Sequence, residues 1–318
     1  MTIALRPVET EEHIAAFLDV RGRVDPEYPI TRANFDDGRE RPERIDVLAL
    51  LDGEVVGAAW AHFLRDSSEA SEFLFVSVRV VPEHRRAGAG TALFQRVSEH
   101  ARALGRSRLY TVTRHEDSDT LDYLGKRSYV ELTRMEDLAL DLALTPPDEK
   151  PPDGIEIVPL APEHEAGMYE VAKEANADVP SPEPFLVTTF DAWHRSELGP
   201  LVFRDLSFVA LDEGEVVGWA TLGEDRPGSA QNFMTGVARR ARGRGVARAL
   251  KLAEIHAARE AGLVRIRTQN DVANGAMRRV NERLGYELRL AWIHLGGPLL
   301  VAAGRKSAGA DFRQRKDP

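Results

Sequence analysis

The sequence predicts an α/β protein of two tandem domains, each a mixed, mostly antiparallel sheet flanked by helices. Three observations lead to this prediction. A strand, a glycine turn and a helix follow one another twice, at residues 80–93 and 235–250. Residues of the two halves match at one constant offset, which indicates an internal duplication. A proline-rich stretch lies between the halves.

The constant offset is 157 positions. It relates Pro82 to Arg239, Arg85 to Arg242, Gly88 to Gly245, Gly105 to Gly262 and Tyr129 to Tyr286. All of these pairs except the first are identities, and segment 51–57 also matches segment 211–218 with one inserted residue.

Residues 145–154 contain four prolines and four charged residues. This composition suits a semi-rigid spacer better than a packed element. We therefore expect an N-terminal domain at 1–145, a linker at 146–154, a C-terminal domain at 155–303 and a tail at 304–318. The tail mixes basic residues with aspartates, which favours a solvated end over a basic arm.

The same order of elements is predicted in each half. An opening strand leads to a helical segment, two strands joined by a tight turn, and a fourth strand. These elements are expected at 3–7, 13–20, 47–51, 55–63 and 73–81, and again at 155–160, 164–175, 207–211, 216–222 and 232–237. Asp52-Gly53 and Glu213-Gly214 supply the tight turns, because hairpins need residues that tolerate a positive φ.

The fourth strand is followed by the glycine turn and a helix, which in the second half is expected at about 246–261. Gly105 and Gly262 stand where a helix ends in a C-cap glycine. A fifth strand, at 108–113 or 264–268, then leads to a short helix and the final strands.

Composition narrows the classes of function. The absence of cysteine excludes disulfides, thiolate metal sites and a cysteine nucleophile, and the nine histidines show no ligand-like spacing, so no metal site is predicted. A net charge of −9 disfavours nucleic-acid binding, which needs a basic surface. Without a long apolar run or a secretory signal, we expect a cytoplasmic protein that does not bind membranes. The oligomeric state is not indicated.

The glycine turns are candidate phosphate sites, because a helix N-terminus presents unpaired amides and the positive end of the helix dipole. A P-loop requires Gly-Lys-Ser/Thr, which neither turn contains. A dinucleotide fingerprint requires a third glycine, where this chain has Leu93 and Arg248. The pattern that fits is Arg-x-x-Gly-x-Gly/Ala, at 85–90 and 242–247.

In this context the pattern resembles the pyrophosphate-binding motif of the GNAT family of N-acetyltransferases. The likeness covers roughly residues 1–144 and 155–300, and the layout resembles that of tandem acetyltransferases of the mycothiol synthase type. The resemblance implies two GNAT-like domains and acetyl-CoA as the donor. It also implies direct attack of an amine on the thioester in a ternary complex, without a covalent enzyme intermediate.

The resemblance also assigns donor-binding residues in both halves. Backbone groups that would pair with the pantetheine arm belong to Val78, Val80, Thr235 and Val237. The turn residues that would hold the pyrophosphate are Arg85, Arg86, Ala87, Gly88, Ala89 and Gly90 in the first half, and Arg242, Gly243, Arg244, Gly245, Val246 and Ala247 in the second. The side chains of Arg85, Arg242 and Arg244 are equally well explained as surface arginines.

Residues after the fifth strand distinguish the halves. The family commonly places an asparagine there and, seven residues later, a tyrosine that protonates the departing thiolate. The second half has Asn270 and Asn274 as donor contacts, and Asn281 where the tyrosine would stand. Asn281 cannot act as an acid but can donate a hydrogen bond to the sulfur. The first half has Asp117 and Leu124 instead, so we expect the second half to catalyse and the first to be degenerate. Whether the first half still binds CoA stays open at this point.

The amine must lose its proton before it attacks, so a base or a water chain is required. Glu224 and Asp225 are the main candidates for the base, while His194 and Asp178 are less well placed, and Glu116 is a candidate in the first half. Acceptor contacts are expected from segment 174–190, Tyr169, Trp193 and Trp219.

A small-molecule amine is the expected acceptor. Three alternatives stay open at this point. One is a non-catalytic acyl-CoA-binding or regulatory protein, which the missing tyrosine favours. Another is an enzyme that acetylates a protein or peptide N-terminus. Alternatively, both halves are active with acid groups from elsewhere.

Overall fold

The protein is described here by a computed structural model of residues 1–26, 30–39, 41–64, 71–144, 146–147, 149–180 and 189–300. The predicted tail and parts of the linker and of segment 174–190 lie outside these residues. The N-terminal half contains β1 (Ile3–Pro7), α1 (Glu11–Val24), α2 (Arg32–Arg39), β2 (Ile45–Leu51), β3 (Glu54–His62), β4 (Phe73–Val80), α3 (Ala89–Ala103), β5 (Arg108–Arg114), α4 (Ser118–Gly125) and β6 (Val130–Asp141).

The C-terminal half repeats this order. It contains β7 (Ile155–Pro159), α5 (Glu165–Ala175), α6 (Phe190–Glu197), β8 (Phe208–Asp212), β9 (Glu215–Glu224), β10 (Ser229–Val237), α7 (Val246–Glu260), β11 (Arg265–Asp271), α8 (Gly275–Arg283) and β12 (Glu287–Pro298). The predicted mixed α/β class is confirmed. Helices α2 and α6 were not anticipated, because each has only eight residues and buries one large side chain, Phe35 or Trp193. No helix in the described parts of the chain is long and apolar enough to cross a membrane.

A single twelve-stranded sheet runs through both halves, in the order β1-β2-β3-β4-β5-β12-β6-β11-β10-β9-β8-β7. Among the described strands, only the pairs β4–β5 and β10–β11 are parallel. The sequence predicted one sheet in each half, and the reason for their fusion is an exchange of the closing strands. β6 pairs with β11, β12 pairs with β5, and the two closing strands pair with each other in the centre. The exchange gives β5 and β11 a partner on the side where each would otherwise be an edge strand.

Helices cover both faces of the sheet in the N-terminal half. On one face, Leu93 of α3 approaches Gly57 of β3, where a Cβ would lie 3.1 Å from the Leu93 side chain. On the other face, Phe17 of α1 stacks against Trp60, with ring centroids 5.8 Å apart. These contacts lie on opposite faces because successive strand residues alternate in direction. In the C-terminal half, Leu250 of α7 approaches Gly218 of β9 in the same way.

Candidate active site

Each parallel strand pair separates partway along its length and forms a fork in the sheet. β4 pairs with β5 only over 73–76, and β10 pairs with β11 only over 229–232. Beyond these points, the residues predicted to contact pantetheine have a strand partner on one side only. These residues are Val78, Val80, Thr235 and Val237. An extended ligand can pair with a strand that lacks a neighbour on one side.

Both forks end in an uncapped helix N-terminus. Gly88, with φ at 95°, and Gly245, with φ at 90°, precede α3 and α7, and neither helix has a side-chain cap. By contrast, side chains cap α1, α4, α6 and α8 at Thr10, Asp117, Thr189 and Asn274. The first amides of α3 and α7 have no acceptor within the helix, and such a terminus binds anions.

The turn arginines hold the turns to the fold through their side chains. Arg85 donates from Nε to the carbonyl of Val80 at 3.3 Å, and Arg242 donates to that of Val237 at 3.0 Å. Arg244 pairs with Asp212 at 2.5 Å. The predicted pyrophosphate sites therefore depend on backbone amides, since these guanidinium groups already have partners.

Asp178 forms ion pairs with two arginines at the second glycine turn. Its carboxylate accepts from Arg239 and from Arg242, each at 2.6 Å. Hydrogen bonds from these two guanidinium groups hold the pKa of Asp178 far below its ordinary value. A catalytic base works best with a pKa near the working pH, so Asp178 acts as an ionic partner of the turn and not as the proton acceptor.

Side chains close the N-terminal fork. Arg79 of β4 donates to the carbonyl of Val78 at 3.1 Å and, across the fork, to that of Val112 on β5 at 3.5 Å. Asp25 accepts from Arg79 at 2.6 Å and from Arg114 at 3.1 Å. Because Arg79 and Arg114 lie on different strands, this cluster ties the two sides of the fork together and occupies a carbonyl that pantetheine would need.

The pKa of Asp25 reflects this environment. Burial raises it, but Arg79, Arg21 and Arg114 together outweigh burial, so the pKa lies below its ordinary value. A carboxylate with a lowered folded-state pKa stabilises the fold above its unfolded pKa of about 3.9. That stabilisation is lost as the pH falls through the folded-state value.

We expect Asp25→Asn to lower the free energy of unfolding at pH 7 by about 3 kcal/mol, because breaking a buried ion pair leaves charges uncompensated. Urea unfolding measures this, and the difference from the parent should shrink below about pH 4. The control is Asp19→Asn in α1, the helix whose C-cap is Asp25, since Asp19 forms an exposed pair with Arg23 at 3.7 Å. Equal losses in both variants would contradict the role of the cluster.

Among the described residues, no such cluster closes the C-terminal fork. Gly236 stands where the first half has Arg79, at the offset of 157. A Cβ at Gly236 would lie 2.4 Å from the ring of Trp219, so the close approach of this ring requires glycine. β10 also contains a bulge between Asn232 and Met234, whereas β4 pairs with β3 without a register shift. A bulge bends its strand, and this one lies where β10 leaves β11.

The predicted asparagines lie on or after β11, with Asn270 in the strand, Asn274 at the N-cap of α8 and Asn281 within α8. Asn274 caps α8 by accepting from the amide of Met277 at 3.2 Å, and Asp117 caps α4 through the amide of Thr120 at 3.1 Å. Asparagine and aspartate are both good N-cap residues, so helix capping accounts for Asn274 and Asp117 without a bound donor. Asn270 and Asn281 are buried. The Nδ2 of Asn270 and both polar side-chain atoms of Asn281 have no hydrogen-bond partner in the described structure.

Asn281 occupies the helix position that Leu124 occupies in the first half, and both residues are buried. Buried polar atoms are nearly always hydrogen-bonded, so an orphaned amide requires an explanation. A donor would supply one only if its thioester end reached Asn281, and the hydrogen bond to sulfur stays a prediction.

A cavity of about 270 Å³ lies beside the bulge. Its lining residues are Asn34, Glu224, Asp225, Arg226, Gln231, Phe233, Arg267 and Gln269. Asn34 belongs to α2, so the N-terminal half contributes to a cavity formed mainly by the C-terminal half. Neither this contribution nor the cluster that closes the N-terminal fork was predicted from the sequence. The difference between Arg79 and Gly236 at the constant offset could have indicated the cluster.

The two predicted bases differ in their partners. Asp225 accepts from Arg267 at 3.4 Å and pairs with Arg226 at 3.3 Å. Arg267 is also paired with the buried Asp137. The half-buried side chain of Glu224 has no ion-pair or hydrogen-bond partner among the residues described. Of these two residues, Glu224 therefore has the carboxylate that is free to accept a proton.

The other predicted acceptor residues are committed to packing or ion pairs. Trp219 and Trp193 are buried, and the Tyr169 ring packs against Trp193 with centroids 5.6 Å apart. His194 faces Glu165 at 3.2 Å. Glu116 is the exception, because its side chain is exposed. Residues 181–188 of segment 174–190, which is predicted to contact the acceptor, lie outside the described residues.

The sequence matches the acetyltransferase (GNAT) family over residues 9–127 and 167–286, more than half of the chain. It is 28% identical over 279 residues to the mycothiol acetyltransferase of Amycolatopsis mediterranei (strain U-32), an alignment that spans 84% of this chain and 87% of that protein.

Two solved structures share the fold. The GCN5-related N-acetyltransferase of Sphaerobacter thermophilus has a TM-score of 0.76 at 21% identity, covering 93% of this chain and 96% of its own. The tandem GNAT protein from the clavulanic acid biosynthesis pathway has a TM-score of 0.75 at 19% identity, covering 95% of this chain and all of its own. The family uses acetyl-CoA as its acyl donor. The chain therefore belongs to the GNAT family of acetyltransferases and carries two GNAT units in tandem.

Proposed function

We propose that this protein transfers the acetyl group of acetyl-CoA to the amine of a small molecule, and that the C-terminal half is the catalytic one. The observation that carries the proposal is the contrast between the forks. Arg79 and Asp25 close the N-terminal fork, whereas the C-terminal half has Gly236 in place of Arg79 and, in place of Leu124, Asn281, whose buried amide has no partner in the described structure.

Residues of the C-terminal half have distinct roles in this proposal. The backbone of Thr235 and Val237 pairs with the pantetheine arm, and the amides of 243–247 hold the pyrophosphate. When bound, the donor supplies an activated thioester carbonyl. Glu224 accepts the proton of the attacking amine, and Asn281 donates a hydrogen bond to the departing sulfur. Positioning and electrostatics then provide the rate acceleration.

The acceptor enters through the cavity beside the bulge. Its volume of about 270 Å³ suits a small molecule. The relative named as a mycothiol acetyltransferase supports a small-molecule acceptor over a protein. The net charge around the cavity gives no strong preference for a cation, because Arg226 and Arg267 balance Glu224 and Asp225.

A thiol-release assay with acetyl-CoA tests the proposal. A panel of small amines and a set of peptides with free N-termini serve as acceptors. We expect CoA release above background with at least one small amine. Release with peptides alone would replace the small-molecule assignment, and tight acetyl-CoA binding without release for any acceptor would favour the binding-protein alternative.

The closed N-terminal fork predicts one donor site per chain. Isothermal titration with acetyl-CoA should give a stoichiometry near one, because the Arg79–Asp25 cluster occupies the position of the second pantetheine arm. Gly245→Asp should abolish the measured binding. A stoichiometry of two, or undiminished binding in this variant, would contradict the assignment of the site to the C-terminal half.

A further inference from the structure

A buried polar network lies beneath the C-terminal fork. Lys251 and Glu254 of α7 are 0% and 1% exposed, and Asn232 of β10 is 6% exposed. The Asn232 Oδ1 accepts from the Lys251 ammonium at 2.9 Å, and its Nδ2 donates to the Glu254 carboxylate at 2.9 Å. The ring of Tyr286 lies 5.1 Å from the ammonium.

Asn232 is the last residue of β10 that pairs with β11. Its Nδ2 also donates to the carbonyls of Met234, at 3.2 Å, and Thr221, at 3.3 Å. Its Oδ1 also accepts from the hydroxyls of Thr235, at 3.2 Å, and Thr268, at 3.4 Å. One side chain therefore connects β9, β10, β11 and α7 at the apex of the fork, and it spans the bulge.

The first half has apolar residues at the positions equivalent to Lys251 and Glu254. At the offset of 157, Phe94 stands for Lys251 and Val97 for Glu254, and both are buried in the apolar core. Stability alone does not explain the two polar side chains, because replacing buried charged groups by well-packed apolar residues is often neutral or stabilising. The polar pair occurs in the half whose fork is open.

The pair matches one orientation of the Asn232 amide, which the carbonyls of Met234 and Thr221 also favour. With Oδ1 toward the ammonium and Nδ2 toward the carboxylate, every contact of the amide is a donor–acceptor match. A flipped amide would place its donors against Lys251 and its oxygen against Glu254. Burial lowers the pKa of Lys251 and raises that of Glu254, because desolvation disfavours the charged form of each group.

We propose that Asn232, oriented by Lys251 and Glu254, is the positioning residue that holds the β10–β11 fork open for the acyl donor. Its bond to Met234 fixes the bulge, and its bond to Thr235 fixes the strand segment that pairs with pantetheine. The inference rests on the proposed function, because it concerns the donor site of the same half.

The test compares Lys251→Met with Phe94→Met, which introduces the same side chain at the equivalent position of the other half. We expect Lys251→Met to weaken acetyl-CoA binding about tenfold, equivalent to one lost hydrogen bond to a charged group. The KM for acetyl-CoA should rise similarly, while kcat and the KM for the amine stay within about twofold. Phe94→Met should leave the donor affinity unchanged.

The double variant Lys251→Phe/Glu254→Val recreates the apolar pair of the first half, and it keeps the test valid if a single change impairs folding. It should also lose donor affinity about tenfold, with circular dichroism and Tm reporting an intact fold. Folded variants that bind acetyl-CoA like the parent would overturn the inference. Failure of the parent itself to bind acetyl-CoA would instead overturn the proposed function, so the two failures are distinguishable.

Discussion

Gly245→Asp is expected to lower kcat/KM for acetyl-CoA by about 1000-fold, equivalent to roughly 4 kcal/mol of lost transition-state stabilisation. Gly245 has φ at 90° and precedes α7 without a side-chain cap. Aspartate tolerates a positive φ better than most residues, so the main effect is electrostatic. Its carboxylate would accept from the first amides of α7 as an N-cap and repel the pyrophosphate.

Gly88→Asp is the matched control, because Gly88 has φ at 95° and precedes α3 in the same way. We expect less than about a threefold change in kcat/KM, well under 1 kcal/mol. The Gly88→Asp and Gly245→Asp variants should be assayed at the same donor and amine concentrations, with Tm measured to verify folding. Equal losses from the two changes would falsify the assignment of catalysis to the C-terminal half.

Glu224→Gln is expected to lower kcat by about 1000-fold, within the range that general-base catalysis contributes. The change keeps the shape of the side chain but removes its capacity to accept a proton. The KM for acetyl-CoA should change little, because Glu224 lies at the end of β9 and lines the acceptor cavity, away from the glycine turn. The residual rate should keep rising with pH, since the amine must then lose its proton to solvent.

Asp225→Asn serves as the comparison for this prediction. Asp225 lines the same cavity but is held by Arg226 and Arg267. We expect it to retain kcat within about tenfold and to lose about 1 kcal/mol of stability, as for a partly buried pair. A larger kcat loss in Asp225→Asn than in Glu224→Gln would reverse the two roles.

Local sequence signals were sufficient for most of the fold. Asp52 and Gly53 adopt the positive φ values that the hairpin prediction required, as do Glu213 and Gly214. The glycine turns were also predictable, because Gly88 and Gly245 are needed for a left-handed residue before a helix. Helix α2 was not predictable, since Phe35 alone gives no periodic apolar pattern.

The exchange of closing strands could not be predicted from either half alone. β6 and β12 carry similar strand signals, and each could pair with the fifth strand of its own half. Which partner each one takes depends on long-range packing in the centre of the sheet, and β-propensity contains no information about that choice.

Internal comparison of the halves could have located more of the site than single motifs did. Gly236 in place of Arg79, and Lys251 in place of Phe94, are visible in the sequence at the constant offset. The contacts of Arg79 and Lys251 could not be inferred from the sequence, because an arginine on a strand and a lysine on a helix are most often solvated.

The sequence by itself determined the duplication, the α/β class, the two glycine turns and the family resemblance, because these depend on residues close together in the chain. Tertiary structure alone decided which fork is closed by side chains, which carboxylate near the cavity is paired with arginines, and which strands complete the sheet. Asp25 meets Arg79 and Arg114 across 54 and 89 positions of sequence. Contacts over such distances arise only when the chain has folded, and they distinguish two halves whose local motifs are nearly the same.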